Sequence, residues 1–158
     1  MKNTVLIGLK PNLTQGNRIT ESMALILKSL EGSMVEEIGL MPVNETFVAE
    51  LYQGNQYQQE CIATYSGHSF YFLVATTNKN FAEIEAIKKD LRTDLLPFAA
   101  HTNAIGDNSI HISDADASAQ REINFVMSVK YGTSHRSSAL IINTKKRLVK
   151  NYLAFYNR

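Results

Sequence analysis

Short apolar runs rich in β-branched and aromatic residues recur along this chain, and stretches with helical spacing separate them. The runs that we predict to be β-strands are Thr4–Leu9, Met34–Leu40, Phe70–Thr76 and Ile110–Ile112. Between the strands, apolar residues repeat at intervals of three and four positions, which is the spacing of one face of a helix. This spacing predicts helices at Arg18–Leu30, Ala82–Leu91 and Ala115–Met127, and two shorter helices after Asn44 and at Tyr57–Tyr65.

The order of these elements restricts the fold. Strand, helix, strand, an inserted pair of helices, strand, helix and strand make the βαββαβ order, which predicts an α+β fold. The expected architecture is a ferredoxin-like sandwich, in which helices pack on a four-stranded antiparallel sheet. A length of 158 residues matches one domain of about 100–200 residues, so residues 1–158 are expected to form a single domain.

Charge and composition exclude several classes of protein. Lys and Arg number 16 against 15 Asp and Glu, so the chain as a whole has no field that attracts DNA, RNA or acidic membranes, although a local cationic pocket is allowed. The longest aliphatic or aromatic run, Phe70–Ala75, is far shorter than the roughly 20 residues of a membrane helix. The single cysteine, Cys61, excludes an intrachain disulfide framework and a cysteine metal cluster. The first residues show no secretory leader pattern, so we expect a cytoplasmic protein. From the charge balance and the short apolar runs, we expect no nucleic-acid or membrane partner.

Several well-known catalytic motifs are missing from the sequence. It contains no G-x-x-x-x-G-K-[ST] phosphate loop, no G-x-G-x-x-G dinucleotide turn and no G-x-S-x-G nucleophile elbow. The four histidines do not have H-E-x-x-H spacing. We therefore predict no metal site held by protein side chains.

The polar segment around His111 is the strongest candidate for chemistry. It places a histidine at the end of a short strand, directly before a helix start. An imidazole titrates near neutral pH and becomes a nucleophile when a second group fixes its tautomer. Backbone N–H groups at a helix start attract phosphate oxygens. The alternative is that Ser113 or Asp114 simply caps the helix and that His111 is a surface residue.

The motifs at and before this segment resemble those of nucleoside diphosphate kinases. Asn108–Asp114, N-S-I-H-I-S-D, followed by S-A-Q-R-E-I at Ser118–Ile123, is similar to the family's N-x-x-H-G-S-D and S-A-x-x-E-I. Lys10-Pro11-Asn12 is similar to its K-P-D after the first strand. Tyr52, Tyr57 and the later Ser66-Gly67 match its Tyr, Phe and S-G-P in order. The resemblance runs from about residue 4 to residue 127.

The resemblance implies a function and a set of roles. Members of the family transfer the γ-phosphoryl group of a nucleoside triphosphate to a diphosphate through a phosphohistidine, with Mg²⁺ held mainly by the nucleotide phosphates. By similarity His111 is the nucleophile, and Glu122 orients it through the other ring nitrogen. Lys10 would neutralise the transferring phosphate, and Tyr52 would hydrogen-bond near Lys10 and His111. Asn108 would contact the ribose, and Tyr57 would stack on the base. Either Lys88 or Arg92 would bind phosphate.

Each of these residues also has an ordinary structural interpretation. Lys10 before a proline is typical of a solvated strand end. Tyr52 and Tyr57 at helical spacing are typical of core or partner-facing aromatic residues. Glu122 is typical of a solvated helix charge. The basic tail after residue 144 is typical of a solvated helix face.

The chain departs from the family pattern at five places. Asn12 replaces an aspartate, His68 replaces a proline, and Ile112 replaces a glycine, which adds a bulky residue beside the histidine. The loop between Arg92 and Asn108 is too short to hold the family's long loop, and no arginine lies between Arg92 and Arg121. By the hydrophobic pattern, a phosphate-binding arginine of the family falls near Lys88, and Arg92, one turn later, is the rival; lysine cannot copy the bidentate guanidinium fork. Thr102 or His101 would have to reach the phosphates from the short loop.

Two functions remain open at this point. One is a divergent nucleoside diphosphate kinase of reduced activity, and the other is a catalytically impaired nucleotide-binding or interaction module on the same fold. An unrelated regulatory domain with ferredoxin-like architecture is a third possibility, because one fold supports many functions. The resemblance also implies a homo-oligomer built from dimers.

Overall fold

The computed structural model describes residues 1–101 and 109–132. Four strands lie in these ranges: β1 (Asn3–Leu9), β2 (Met34–Pro42), β3 (Ser69–Thr77) and β4 (Ile110–Ile112). The helices are α1 (Pro11–Thr14), α2 (Ile19–Ser29), α3 (Glu45–Leu51), α4 (Gln58–Tyr65), α5 (Phe81–Asp94) and α6 (Asp116–Tyr131), with a 3₁₀ turn at Leu96–Phe98. No helix within the described ranges is both long and apolar enough to cross a bilayer.

The four strands form one antiparallel sheet in the order β2-β3-β1-β4. Strand β1 lies between β3 and β4, and Gly8 near its C-terminal end is paired with Phe72 on one side and His111 on the other. The helices α2 and α5 carry the chain between parallel strands that are not neighbours in the sheet. The predicted α+β fold with a four-stranded antiparallel sheet is therefore confirmed.

Both faces of the sheet are covered, because successive side chains along a strand point to opposite sides. One face carries a core that combines β1 and β3 residues such as Leu6, Phe70 and Phe72 with side chains from α3, α4 and α6. The other face carries a second core with α2 and α5, to which β4 contributes Ile110 and Ile112. The two inner strands, β1 and β3, are consequently mostly buried, which explains why they appear in the sequence as continuous apolar runs.

The sequence prediction missed helix α1 and the 3₁₀ turn, and it made several other elements too short. We expected Pro11 only to end the first strand, but it opens the four-residue helix α1, where its missing N–H costs nothing and its fixed φ suits the first helical position. Helix α6 runs to Tyr131, beyond the predicted Met127. Most of the predicted loop at Ala100–Asn108, the apolar run Ala139–Ile142 and the basic tail lie outside the described residues.

Asparagine caps fix the starts of two helices. The Asn44 side chain accepts a hydrogen bond from Phe47 N at 2.9 Å, as the sequence predicts for α3. At the start of α5, Asn80 Oδ1 accepts from Glu83 N at 3.0 Å, and Glu83 Oε2 accepts from Asn80 N at 2.7 Å. This reciprocal pair is a capping box, and it sets the position of the helix that carries Lys88 and Arg92.

Replacement of Asn80 by alanine is expected to lower the free energy of unfolding by about 1 kcal/mol, because the N–H of Glu83 loses its acceptor. Urea denaturation monitored by circular dichroism measures this loss. Asn78→Ala is the matched control, since Asn78 is an exposed residue outside the helix. Equal losses in the two variants would contradict a capping role for Asn80.

Candidate active site

The direction in which His111 points follows from its position on β4. His111 is paired with Gly8, so its side chain lies on the face of the sheet that α3, α4 and α6 cover. Its neighbours Ile110 and Ile112 point to the opposite face and are buried in the core with α2 and α5. The bulk of Ile112 therefore packs in that core and does not cover the imidazole, contrary to what its place in the sequence led us to expect.

A short chain of hydrogen bonds orients the His111 ring. His111 Nε2 lies 2.8 Å from Glu122 Oε2, and the same carboxylate oxygen accepts from Ser113 Oγ at 2.8 Å. A carboxylate only accepts, so Nε2 must carry the hydrogen, which leaves the lone pair of a neutral ring on Nδ1. Ser113 also pairs with Leu6 through both backbone and side chain, at 3.1 Å in each case. Ser113 thus ties Glu122 to the central strand and does not cap α6, which Ala115 precedes.

The charge of Glu122 is maintained although its side chain is buried. Burial acts to raise the pKa of this carboxyl group, but the hydrogen bonds from His111 and Ser113 and the charge of Arg121 outweigh it, so the pKa is lowered from its ordinary value. A carboxylate that stays ionised can stabilise positive charge on the imidazole ring. The interpretation of Glu122 as a solvated helix charge is wrong.

His111 and Glu122 line a cleft of about 380 Å³. Its walls come from the ends of β1 and β4, the residues after α3, the inner face of α5 and the start of α6. Cationic side chains outnumber carboxylates in this lining. They are Lys10, Lys88, Arg92 and Arg121.

Lys10 is buried, with 4% of its surface exposed, so it is not the solvated strand-end residue that we considered as an alternative. The backbone N–H of Lys10 donates to Ser109 O at 3.0 Å, and Asn12 Nδ2 donates to Ser109 Oγ at 2.8 Å. These bonds hold the turn after β1 against the residue that precedes β4. Burial, with the charges of Arg92 and Lys88, lowers the pKa of Lys10 to about 7, although Cys61 opposes the shift.

The two tyrosines that the resemblance singled out lie in different settings. Tyr52 is buried in the cleft wall, and its ring meets the His111 ring edge-on with centroids 5.6 Å apart. Burial raises the pKa of Tyr52 well above its ordinary value, so this phenol stays protonated and can donate. Tyr57 precedes α4, is 52% exposed and does not line this cleft.

The two rival phosphate-binding residues on α5 both reach the cleft. Lys88 forms an ion pair with Glu85 one turn earlier on the same helix. Arg92 lies close enough for its charge to lower the pKa of Lys10, and its buried Nε has no hydrogen-bond partner among the described residues. Arg92 is therefore the better placed of the two to receive an anion. Asn108 and Thr102 lie outside the described residues.

His101, the other candidate for the short loop, belongs to a separate cavity of about 370 Å³ that it shares with His68. The side chain of Gln15 bridges these two imidazoles, at 2.9 Å from His68 Nδ1 and 3.0 Å from His101 Nε2. The structure does not bring His101 into the cleft of His111.

Arg121 is a cleft residue to which sequence reasoning gave no role. Its guanidinium group donates to Glu50 O at 2.7 Å and to Leu51 O at 3.3 Å, and lies 3.6 Å from Glu122 Oε1. Arg121 thereby joins the end of α3, which Tyr52 follows, to the carboxylate that orients His111. Its place inside the S-A-Q-R-E-I motif was the only signal in the sequence.

No group of three or more potential metal-ligating His, Cys, Asp and Glu side chains occurs among the residues that the structure describes. The cleft does contain carboxylates of Asp114 and Glu122, but Glu122 is already engaged by His111 and Ser113. Such a cleft suits Mg²⁺ that is held by a phosphorylated ligand, because Mg²⁺ commonly binds through substrate phosphates and few protein groups.

Replacement of Lys10 by methionine is expected to raise the melting temperature, and to raise it more at pH 6 than at pH 9. Below pH 7 the buried amine is charged in both the folded and the unfolded chain, so the whole cost of burying the charge destabilises the fold. As the pH rises above 7, the folded state releases this proton first and the cost declines. Differential scanning calorimetry measures the effect, and Lys89→Met at an exposed position of α5 is the control. An equal gain at both pH values would contradict the lowered pKa.

No family model and no curated protein sequence matches this chain. Solved structures do match. A nucleoside diphosphate kinase of Aquifex aeolicus is 19% identical, with a TM-score of 0.63 over 80% of this chain and 95% of that chain. The enzyme of Borrelia burgdorferi, a transition state mimic with bound vanadate and ADP, is 15% identical, with a TM-score of 0.57 over 78% and 86% of the two chains. That of Halobacterium salinarum, in complex with CDP, is 18% identical, with a TM-score of 0.54 over 79% and 87%. The protein therefore has the fold of the nucleoside diphosphate kinases.

Proposed function

We propose that this protein is a nucleoside diphosphate kinase, which transfers the γ-phosphoryl group of a nucleoside triphosphate to a nucleoside diphosphate through phospho-His111. The observation that carries this proposal is the 2.8 Å contact between His111 Nε2 and Glu122, in a cleft lined by four cationic side chains. A carboxylate on Nε2 leaves Nδ1 as the nucleophilic nitrogen. Cationic side chains in the same cleft suit a phosphorylated substrate.

The reaction divides into two halves. In the first half, Nδ1 of His111 attacks the γ-phosphorus, a new N–P bond forms, and the bond from that phosphorus to the β-phosphate bridging oxygen breaks. The nucleoside diphosphate leaves with the electron pair of that oxygen. In the second half, a terminal phosphate oxygen of another nucleoside diphosphate attacks the phosphorus on His111, a new O–P bond forms and the N–P bond breaks. The electron pair of that bond returns to Nδ1, which regenerates His111. Glu122 stabilises the positive charge that the ring carries while Nδ1 bears the phosphoryl group.

The rest of the cleft supplies charge and position. Lys10 and Arg92 are the cations that we assign to the phosphates, and Tyr52 is a buried donor beside the imidazole. Phosphoryl transfer depends mainly on such positioning and on charge neutralisation. Mg²⁺ bound to the nucleotide phosphates adds charge neutralisation there. Ribose contact by Asn108, base stacking by Tyr57 and assembly into a homo-oligomer remain predictions.

We also propose a second function, a nucleotide-binding or interaction module with little catalysis. The observation that favours it is the composition of the phosphate site: Lys88, one of the two residues near the place of a family arginine, forms an ion pair with Glu85, and no arginine lies between Arg92 and Arg121. For the same reason we expect the kinase, if active, to turn over more slowly than an enzyme with the full arginine set. Loss of one charge-stabilising contact costs about 10²–10³ in rate.

Incubation with γ-labelled ATP and Mg²⁺ is expected to label the protein with an acid-labile, alkali-stable phosphoryl group, because phosphohistidine has that stability. His111→Asn should remove the label, since it deletes the nucleophile. His68→Asn and His101→Asn are matched controls in the separate cavity and should keep it. Autoradiography with peptide mapping makes the measurement.

A thermal-shift titration with ADP and Mg²⁺ separates the two functions. Saturable stabilisation together with the label supports the kinase. Saturable stabilisation of folded, magnesium-replete protein without any label supports the binding module. No stabilisation and no label would remove any nucleotide role.

Arg92→Ala is expected to lower kcat/KM for phosphoryl transfer by about 10²–10³, because the cleft loses the cation that is best placed for the phosphates. A coupled assay for nucleoside triphosphate formation measures the loss. Lys89→Ala removes an exposed positive charge from the same helix and should leave the rate unchanged. If instead Lys88→Ala is the more damaging of the two cleft substitutions, the assignment of the phosphate contact to Arg92 is wrong.

A further inference from the structure

Arg121 connects α6 to the part of the cleft wall where α3 ends. Its Nη1 donates to Glu50 O at 2.7 Å and its Nη2 donates to Leu51 O at 3.3 Å, and these are the carbonyl groups of the last two residues of α3. Carbonyl groups in the last turn of a helix lack the N–H partner that the interior of the helix provides, and a guanidinium fork supplies donors for two of them at once. The two bonds therefore set the distance between the end of α3 and α6.

The same guanidinium group lies against the carboxylate that orients His111. Arg121 Nη2 is 3.6 Å from Glu122 Oε1, whereas the other oxygen of that carboxylate, Oε2, accepts from His111 Nε2 at 2.8 Å. Arg121 and Glu122 are also consecutive residues of one helix. Arg121 is therefore fixed relative to the imidazole ring by α6 and bonded to the neighbouring wall of the cleft.

Tyr52 is the cleft residue whose position depends most directly on this connection. It follows Leu51 in the chain, and its buried ring meets the His111 ring edge-on with centroids 5.6 Å apart. Its Oη forms no hydrogen bond with the residues that the structure describes, so the backbone at the end of α3 and the packing of the ring decide where this hydroxyl group lies. A shift of that backbone would move the hydroxyl group relative to the imidazole.

Resting on the phosphoryl transfer proposed above, we propose that Arg121 is a positioning residue, which holds Tyr52 beside His111 for the transfer. Main-chain oxygens engage both terminal nitrogens of Arg121, so we do not assign its guanidinium group to the phosphates. Arg121 acts through Tyr52, because it fixes the backbone from which the phenol extends. A residue that only capped α3 would add stability and leave the transfer rate of the folded protein unchanged.

Arg121→Gln is expected to lower the rate constant for phosphorylation of His111 at saturating Mg²⁺ and ATP by about 10–10²-fold, since a displacement of about 1 Å can cost about 10²-fold. Rapid-quench measurement with γ-labelled ATP gives this rate constant. The affinity for ADP and Mg²⁺, measured by isothermal titration calorimetry, should change by less than about threefold, because the interaction matters in the transition state and not in binding. Lys130→Gln removes an exposed positive charge from the same helix and should change neither quantity.

A conservative variant separates the fork from the charge. Arg121→Lys keeps a positive charge near Glu122, but one ammonium group cannot reproduce the planar fork that bonds both carbonyl groups. We expect it to lose rate in the same direction as Arg121→Gln and by a smaller factor. It also provides the measurement if Arg121→Gln does not fold, which urea denaturation of each variant establishes.

A double-mutant cycle identifies the residue through which Arg121 acts. In a Tyr52→Phe background the hydroxyl group is absent, so Arg121→Gln should then cost no more than about threefold in the rate constant, because residues that act through one another are not additive. Equal losses in the wild-type and Tyr52→Phe backgrounds would show that Arg121 does not act through Tyr52 and would overturn the inference.

The remaining outcomes distinguish this inference from the function on which it rests. A folded Arg121→Gln protein with the wild-type rate constant overturns the positioning role and leaves the kinase function intact. Equal losses of rate and of ADP affinity also overturn it, since Arg121 would then bind the nucleotide directly. The absence of label on folded wild-type protein overturns the kinase function and this role of Arg121 together.

Discussion

The hydrogen bond between His111 Nε2 and Glu122 Oε2, 2.8 Å long, is the interaction on which the rest of the site depends. It selects the nitrogen that carries the proton, and so leaves the lone pair of a neutral ring on the other nitrogen. The bond exists only because β4 and α6 bring the two residues together, and Ser113 ties both to Leu6 on the central strand. The sheet thus fixes the relative orientation of His111 and Glu122.

The second constraint is electrostatic. Four cationic side chains converge on one cleft. Lys10 in particular is buried among aromatic rings, where a positive charge opposes folding. A site of this kind is complementary to an anion that is present only part of the time. The buried charge of Lys10 lowers the stability of the fold, and an anion bound in the cleft would offset that loss.

The sequence predicted the fold in detail because its local signals agree with one another. Continuous apolar runs predicted the strands, and apolar residues at intervals of three and four predicted the long helices; even the three-residue strand Ile110–Ile112 was predicted with its observed bounds. The failures concern properties that depend on packing. The burial of Lys10, the contacts of Arg121 with α3 and the role of Ser113 involve partners far away in the chain, and no local pattern reports them. Helix α1 was not predicted, because four residues are too few to show the spacing of a helix.

Ile112 illustrates how a strand separates neighbouring residues. His111 belongs to the cleft, whereas the next residue belongs to the hydrophobic core on the far side of the sheet. Two adjacent residues thus meet independent physical demands, because their side chains lie on opposite faces of the sheet. Another aliphatic side chain that fills the same space can replace Ile112 without changing the face of the sheet that carries His111.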